Sequence, residues 1–277
     1  MTDAPEPLRS ALLESFPSEK SFRLLVHAPA FFSTVGEKTP ATVLAVTIDG
    51  WLIASEIEDS GARVEKSDFG ETLFLELTSI LLYGQFKIYY ATVGTAYSAT
   101  VRFDTVGEEF YREAIDLILK TMDQTRAPEV QNDRVSASIF ETWPMKFRTE
   151  TERYRPKGQR LCAAMHWPAV FDGFHRELAP AGALLVTERE LVVISEEKQS
   201  PRQHTGEIHG FGRIITYFPL ARLADFHVSR HERFGALALQ VHAAHGREKM
   251  EIIFPYDKEK AISKAMEQAV FPTDRAI

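Results

Sequence analysis

Two histidines stand at the head of the same short pattern and are the first residues that could do chemistry. His27 opens the segment HAPAFF, and His166 opens the segment HWPAVF. An imidazole acts as a general acid or base, or binds a metal, when a nucleophile, a base or another ligand lies beside it. No Ser, Cys or Asp occurs in both segments. We therefore expect a structural role, with each segment plugging one end of a barrel and each imidazole bonded to the backbone. The shared residues that carry this prediction are His27, Pro29, Phe32, His166, Pro168 and Phe171.

Two further pairs of histidines have spacings that metal ligands use. The segment HVSRH covers residues 227–231, and HAAH covers residues 242–245. Histidines four residues apart face the same way on a helix, but at a strand end they lie ~13 Å apart along the chain. The second pair straddles a predicted turn and has no evident third ligand. We therefore predict no metal site and no cofactor.

A polar loop of residues 196–213, EEKQSPRQHTGEIHGFGR, carries the best candidates for binding an anion. Cations and backbone amides suit phosphate. Three carboxylates, Glu196, Glu197 and Glu207, offset this charge, so a solvated hairpin loop is the alternative. The candidate ligand-binding residues are Lys198, Arg202, His204 and Arg213.

The chain repeats itself. HAPAFF recurs as HWPAVF at a displacement of 166 − 27 = 139, and four further blocks recur in the same order. Such a series predicts an internal duplication, with copies at 7–123 and 134–271 joined by a polar linker. The other blocks are 11–17 with 138–144, 41–56 with 181–196, 73–84 with 216–227 (Leu77 on Leu220), and 101–103 with 252–254.

Against this repeat, a basic run at residues 148–160 reads as an insertion that the first copy lacks. It would contact a phosphate-bearing partner or the sister domain, or form a mobile surface loop. Its cations are Arg148, Arg153, Arg155, Lys157 and Arg160. The lone Cys162 has apolar neighbours and is expected to be an inert buried thiol.

Each copy is predicted to contain several antiparallel strands and then one helix. Residues 237–243 and 249–254 alternate apolar and polar side chains around a turn, and 87–93 and 99–103 do so in the first copy. Helical stripes follow, with a Thr-x-x-Glu capping box at 105–108 and Asp257 as the second cap. The stripes are Phe110, Ala114, Leu117, Ile118 and Met122, then Ala261, Ile262, Ala265, Met266, Ala269 and Val270. The fold class predicted is α+β, mainly antiparallel β.

The strands of the second copy resemble the pleckstrin-homology (PH)-like superfold, with GRAM domains and bacterial PH-like domains as the nearest relatives. The pattern G-x-L-x-x-T-x-x-x-L stands here as Gly182, Leu184, Thr187 and Leu191. The first copy departs from it, with Thr42 for the Gly and Trp51 for the last Leu. The resemblance implies two β-sandwich or barrel domains, each with seven strands and a closing C-terminal helix. It also implies that the domains bind lipid head groups, peptides or proteins.

Composition narrows the function further. A net charge of −7 argues against a nucleic-acid-binding protein, and no apolar run reaches the ~20 residues that span a bilayer. The N-terminus lacks a secretory signal, and a single cysteine fits a reducing compartment, so we expect a cytoplasmic protein. The leading hypothesis is a non-enzymatic binding or scaffolding module for a peptide, a protein or an anionic head group. The alternatives are an enzyme with a site in the cleft between the copies, and peripheral membrane association through a basic face at 198–213.

Overall fold

The computed structural model describes residues 4–15, 22–32, 38–57, 61–122, 137–174, 176–196 and 212–270. The chain divides into two compact units. Unit 1 is Met1–Met122 with Ala243–Gly246, and unit 2 is Asp123–His242 with Arg247–Ile277. The copy boundaries expected from the repeat, 7–123 and 134–271, stay a prediction, since residues 123–136 lie outside the described part of the chain.

The described part of unit 1 contains a four-stranded antiparallel sheet, a three-stranded antiparallel array, a small hairpin and two α-helices. Its elements are α1 (Glu6–Ser15), β1 (Phe22–Ala28), β2 (Phe31–Phe32), β3 (Lys38–Thr39), β4 (Thr42–Thr47), β5 (Gly50–Ile57), β6 (Gly61–Asp68), a 3-10 helix (Phe69–Glu71), β7 (Thr72–Ile80), β8 (Tyr83–Thr92), β9 (Thr95–Asp104), a 3-10 helix (Thr105–Gly107) and α2 (Glu108–Met122). One sheet has the order β1-β4-β5-β6, and β7, β8 and β9 pair in sequence. Strands β2 and β3 form a separate small hairpin.

Unit 2 shows the same succession of strands. Its elements are a 3-10 helix (Ala137–Thr142), α3 (Met145–Tyr154), β10 (Leu161–Trp167), β11 (Val170–Phe171), β12 (Glu177–Ala179), β13 (Gly182–Thr187), β14 (Glu190–Glu196), β15 (Arg213–Pro219), a 3-10 helix (Leu220–Arg222), β16 (Leu223–Arg230), β17 (Gly235–Ala243), β18 (Gly246–Phe254), a 3-10 helix (Tyr256–Lys258) and α4 (Glu259–Val270). Strands β10-β13-β14-β15 form a four-stranded array and β16-β17-β18 a three-stranded one. The prediction of an α+β protein made mostly of antiparallel sheet is confirmed.

The same threonine bonds close the corresponding hairpins of the two units. Thr47 Oγ1 donates to the Gly50 carbonyl at 3.0 Å and accepts from the Gly50 amide at 3.1 Å. Thr187 Oγ1 makes the same two bonds to Glu190, at 3.0 and 2.9 Å. A short side chain that bonds its own backbone in this way replaces ladder bonds where the strands turn.

A glycine lies against a phenylalanine ring in each three-stranded array. A Cβ on Gly84 would fall 2.3 Å from the Phe103 ring, and one on Gly235 would fall 2.2 Å from the Phe254 ring. The two glycines are 151 residues apart (235 − 84 = 151), and so are the two phenylalanines (254 − 103 = 151). Only a residue without a side chain allows the ring to lie so close to the strand.

This displacement corrects one of the sequence alignments. Leu77 lies within β7, whereas Leu220 begins the 3-10 helix before β16. The residue that corresponds to Leu220 is Phe69, which also begins a 3-10 helix. Phe69 N donates to the Asp49 carbonyl at 3.0 Å, and Leu220 N donates to the Arg189 carbonyl at 2.7 Å. The match of 73–84 with 216–227 is therefore wrong, because a longer segment precedes β15 than precedes β6.

The closing helices bury one face each, and most residues of each predicted stripe lie on that face. The side chain of Val270, the last residue of the second stripe, lies outside the described ones. Phe110 and Ala261 are exposed, so each predicted stripe is wrong at its first position. The buried side chains are Tyr111, Ala114, Ile115, Ile118, Leu119 and Met122 in α2, and Ile262, Ala265, Met266 and Ala269 in α4. Tyr111 stacks on Phe103 with the ring centroids 3.9 Å apart.

The predicted helix caps are also wrong. The side chain of Asp104 accepts from Val106 N at 2.9 Å at the start of the 3-10 helix that leads into α2. Asp257 lies inside the 3-10 helix before α4, and no side chain caps that helix. In both places a 3-10 helix comes first, which moves the capping position upstream of the expected one. None of the helices in the described ranges is long and apolar enough to cross a membrane.

Candidate functional site

Helix α3 of unit 2 has a row of polar side chains on the side that faces the sheet. The helix packs on β13 and β14. Lys146, Glu150 and Tyr154 follow at intervals of four residues and so lie on one side of the helix. Glu150 and Tyr154 are buried. These three side chains are ionisable, and they lie near the ends of β14 and β15 that border residues 197–211 in the sequence.

Two strand residues complete this group, which we call the α3 cluster: Lys146, Glu150, Tyr154, Glu196 and Arg213. Lys146 Nζ donates to Glu196 Oε1 at 2.8 Å. Arg213 Nε donates to the Tyr154 hydroxyl at 2.6 Å, and its guanidinium lies 5.2 Å from the centroid of the same ring. Glu196 and Arg213 are opposite each other on β14 and β15. The tyrosine therefore fixes the direction of the Arg213 guanidinium through both its hydroxyl and its ring.

Glu150 is the unusual member of the cluster. Its side chain belongs to a residue only 6% exposed, and Oε2 has no hydrogen-bond partner among the described residues. Burial raises the pKa of this carboxyl, while Lys146 and Arg213 oppose that rise. A buried carboxylate oxygen without a donor makes the charged form costly, which is consistent with the raised pKa. Besides Glu150, the cluster has two cations, Lys146 and Arg213, and one carboxylate, Glu196.

Unit 1 has an apolar contact where unit 2 has this cluster. Helix α1, which precedes the first strand as α3 does, packs on β5 and β6. Its Leu8 and Leu12 lie in a buried cluster with alanines and other aliphatic side chains of β4 and β5. A helix can thus cover such a sheet with apolar side chains alone. The fold does not require the ionisable groups of the α3 cluster.

The candidate anion-binding residues fall on both sides of the described boundary. Lys198, Arg202 and His204 lie outside the described residues, and Arg213 lies in the α3 cluster. The sequence patterns did not identify Lys146, Glu150 and Tyr154 as site residues. The available signal is their spacing of four residues, but residues 148–160 are predicted from the sequence to form a basic insertion.

That interpretation is wrong for residues 148–154, which belong to α3 rather than to a mobile loop. The side chains of Phe147 and Tyr154 lie on the buried side of the helix, so the segment is part of the packed unit. Its five cations are nevertheless exposed. One of them, Arg160, pairs with Glu188 at 3.0 Å.

The two patterned histidines lie in strands, opposite Val43 for His27 and opposite Ala183 for His166. Nε2 of each ring is buried and has no hydrogen-bond partner among the described residues. The expected bond between each imidazole and the backbone stays a prediction for Nδ1. The His166 ring lies 4.6 Å from the Phe147 ring and 5.7 Å from the Trp143 ring, centroid to centroid. Burial, and then Lys258, lower the pKa of His166.

The residues that follow these histidines do not plug a barrel. Pro29 and Phe32 are exposed in unit 1, and Pro168 and Phe171 are exposed in unit 2. Phe32 and Phe171 each belong to a two-stranded hairpin, with β3 and β12 respectively. The short hairpins thus hold the phenylalanine rings at the surface.

Metal-binding geometry is absent from the described ranges, where no three His, Cys, Asp or Glu side chains are placed to hold an ion. His227 lies on β16, and His231, just beyond it, stacks on Phe234 with the centroids 4.5 Å apart. Cys162 is half-buried, and burial raises the pKa of its thiol. A raised thiol pKa leaves little thiolate to act as a nucleophile.

Comparison with known proteins identifies no family for this chain. No protein-family model matches the chain, and no curated protein matches it significantly.

Proposed function

We propose that the protein is a non-enzymatic binding module made of two PH-like domains that arose by duplication of one. In each unit a four-stranded array, a three-stranded array and a closing helix follow in the same order. The equivalent hairpin bonds of Thr47 and Thr187 and the equivalent glycine–phenylalanine contacts support a common origin. Because the chain has a single cysteine, we propose that the protein works in the reducing cytoplasm.

The α3 cluster is the proposed binding site, and its ligand carries a phosphate, free or borne by a lipid. The observation that carries this proposal is the Arg213 guanidinium, held by Tyr154 beside the half-exposed Lys146. An arginine whose fork is oriented in advance loses little entropy when it binds an oxyanion. Burial raises the pKa of Glu150, so the repulsion between this carboxyl and such a ligand weakens as the pH falls.

Calorimetric titration with inositol hexakisphosphate and with inorganic phosphate tests the site. Vesicles containing phosphatidylinositol phosphate test the lipid source. We expect Arg213→Gln to weaken binding of the phosphorylated probes about tenfold, the effect of one charge-assisted hydrogen bond. Arg148→Gln is the matched control, since Arg148 is an exposed cation of the same helix. Absence of binding by every probe, or an equal loss in the control, would contradict the proposal.

The non-enzymatic part of the proposal has a separate test. Purified protein is incubated with a panel of metabolites, and the products are followed by mass spectrometry. Reproducible turnover that His27→Ala or His166→Ala abolishes would favour the enzyme alternative instead.

A further inference from the structure

Unit 1 exposes four large apolar side chains that come together from two segments. Leu81 and Leu82 form the turn between β7 and β8, and Val106 and Phe110 lie at the start of the closing helix. We call these four residues the apolar tip. Their exposed fractions are 55% for Leu81, 65% for Leu82, 87% for Val106 and 58% for Phe110.

Hydrogen bonds through Thr105 hold the two segments of the apolar tip together. Thr105 N donates to the Leu82 carbonyl at 3.1 Å. Thr105 Oγ1 donates to the Leu81 carbonyl at 2.9 Å. The next residue, Val106, is fixed in turn by the Asp104 carboxylate, which accepts from Val106 N at 2.9 Å. The tip is therefore an ordered surface rather than a set of unrelated side chains.

The backbone at the turn is unfavourable for the residue that occupies it. Leu81 has a φ of 52°, in the left-handed region, which costs an ordinary L-residue about 1–2 kcal/mol. Glycine or asparagine would relieve this cost and remove an exposed apolar group. Neither the backbone nor solubility explains a leucine here.

The corresponding turn of unit 2 has none of this apolar surface. The displacement of 151 that relates Gly84 to Gly235 places Glu232 and Arg233 at the positions of Leu81 and Leu82. It likewise places Asp257 at the position of Val106 and Ala261 at that of Phe110. Charged or small residues therefore serve the same fold at these places.

We propose that the apolar tip binds a short segment of a partner protein that presents apolar side chains flanked by Lys or Arg. The exposed parts of four such side chains amount to a few hundred square ångströms, whereas a standard stable interface buries about 800 Å² on each partner. The area therefore fits a short segment better than a second copy of this chain.

The acidic residues beside the apolar tip indicate that basic residues flank the apolar side chains of the partner segment. Asp104 and Glu113 are exposed next to Val106 and Phe110. Within the described residues neither carboxylate forms an ion pair, and Asp104 accepts only the amide bond that caps the turn. Exposed carboxylates at the rim attract basic side chains of a partner and repel an anionic membrane surface.

The test uses three synthetic peptides and fluorescence anisotropy. The first alternates Leu and Lys, the second replaces each Lys with Glu, and the third replaces each Leu with Ser. We expect saturable binding of the first peptide alone. The double variant Leu82→Ser/Phe110→Ala should weaken that binding at least tenfold, and Glu113→Gln should weaken it several-fold and reduce its dependence on salt.

Val93→Ser is the matched control. Val93 is 91% exposed, lies in the turn at the other end of β8 and has a φ of 50°, so it shares the exposure and backbone of the tip but not its location. Binding by Val93→Ser should equal that of wild type, and the thermal midpoints of all variants should stay close to that of wild type.

Four results would overturn the proposal. They are no binding of the Leu–Lys peptide, equal binding of the Leu–Glu peptide, insertion into zwitterionic vesicles that the double variant abolishes, and dimerisation in sedimentation that the double variant abolishes. The last two assign the tip to lipid or to a second copy. None of the four depends on the phosphate site of unit 2.

Discussion

A single buried carboxyl, Glu150, determines how the α3 cluster responds to pH. Its Oε2 lacks a partner among the described residues, and its pKa is raised mainly by burial. The cluster thus combines the cations Lys146 and Arg213 with the carboxyl of Glu196 and with that of Glu150, whose pKa burial raises. That combination favours an anionic ligand, and more strongly as the pH falls.

Glu150→Gln should stabilise the protein at neutral pH. Because the pKa is higher in the folded than in the unfolded state, the folded state binds the proton more tightly. The free energy of unfolding of the wild type therefore falls as the pH rises from about 4.5 through the raised folded value. Below that window the variant and wild type should be equally stable, and at pH 7 we expect the Gln variant to be the more stable one.

Urea unfolding at pH 4 and pH 7 measures this difference. Glu152→Gln is the control, since Glu152 is exposed on the same helix and should show no difference at either pH. A variant at position 150 that is less stable than wild type at pH 7 would mean that the carboxylate forms a stabilising ion pair there.

At the scale of the elements, the two closing helices follow one packing rule. In each, a 3-10 helix precedes the α-helix, and one face packs on the unit. Phe110 shows where the predicted stripe fails: it directly precedes the buried Tyr111 and is therefore turned about 100° away from it around the helix, on the exposed side. Periodicity identifies a helix, but the contacts of the helix decide at which residue its buried face begins.

The glycine–phenylalanine contacts allow a test of strand packing. Gly84→Ala and Gly235→Ala should each lower the free energy of unfolding by about 1–3 kcal/mol, because the new methyl group meets a buried ring that has little room to move. Chemical denaturation measures the loss. Phe103→Leu combined with Gly84→Ala should recover part of it.

Gly107→Ala is the control for these variants. A Cβ there has no described atom within 4 Å, so the substitution should change stability by less than about 0.5 kcal/mol. If Gly84→Ala were as mild as this control, the Phe103 ring would have to be free to move away.

At the scale of the whole molecule, the net charge of −7 sets long-range interactions. We expect no sequence-independent binding to duplex DNA at physiological salt, because such binding depends on phosphate neutralisation by excess Lys and Arg. An electrophoretic mobility assay with a short duplex measures this. A shift at micromolar protein that disappears steeply with added salt would show that a local basic surface, such as the one on α3, outweighs the overall charge.

The sequence by itself determined much of the local structure. Alternation of apolar and polar side chains marked the strands that pair around residues 93–94 and 244–245. These features depend on neighbours within a few residues, and local preferences of backbone and side chain suffice to specify them. The alignment on Leu77 failed because a match of apolar residues does not reveal the longer segment before β15.

Only the tertiary structure decided which side chains meet. Tyr154 lies 59 residues from Arg213 and 63 residues from Tyr217 in the sequence, yet hydrogen bonds join it to both. Leu82 and Thr105 likewise meet across the length of a hairpin. Such contacts arise when a helix or a turn packs on strands distant in sequence. The composition of a segment shows which face it will bury, but not which partner it will find there.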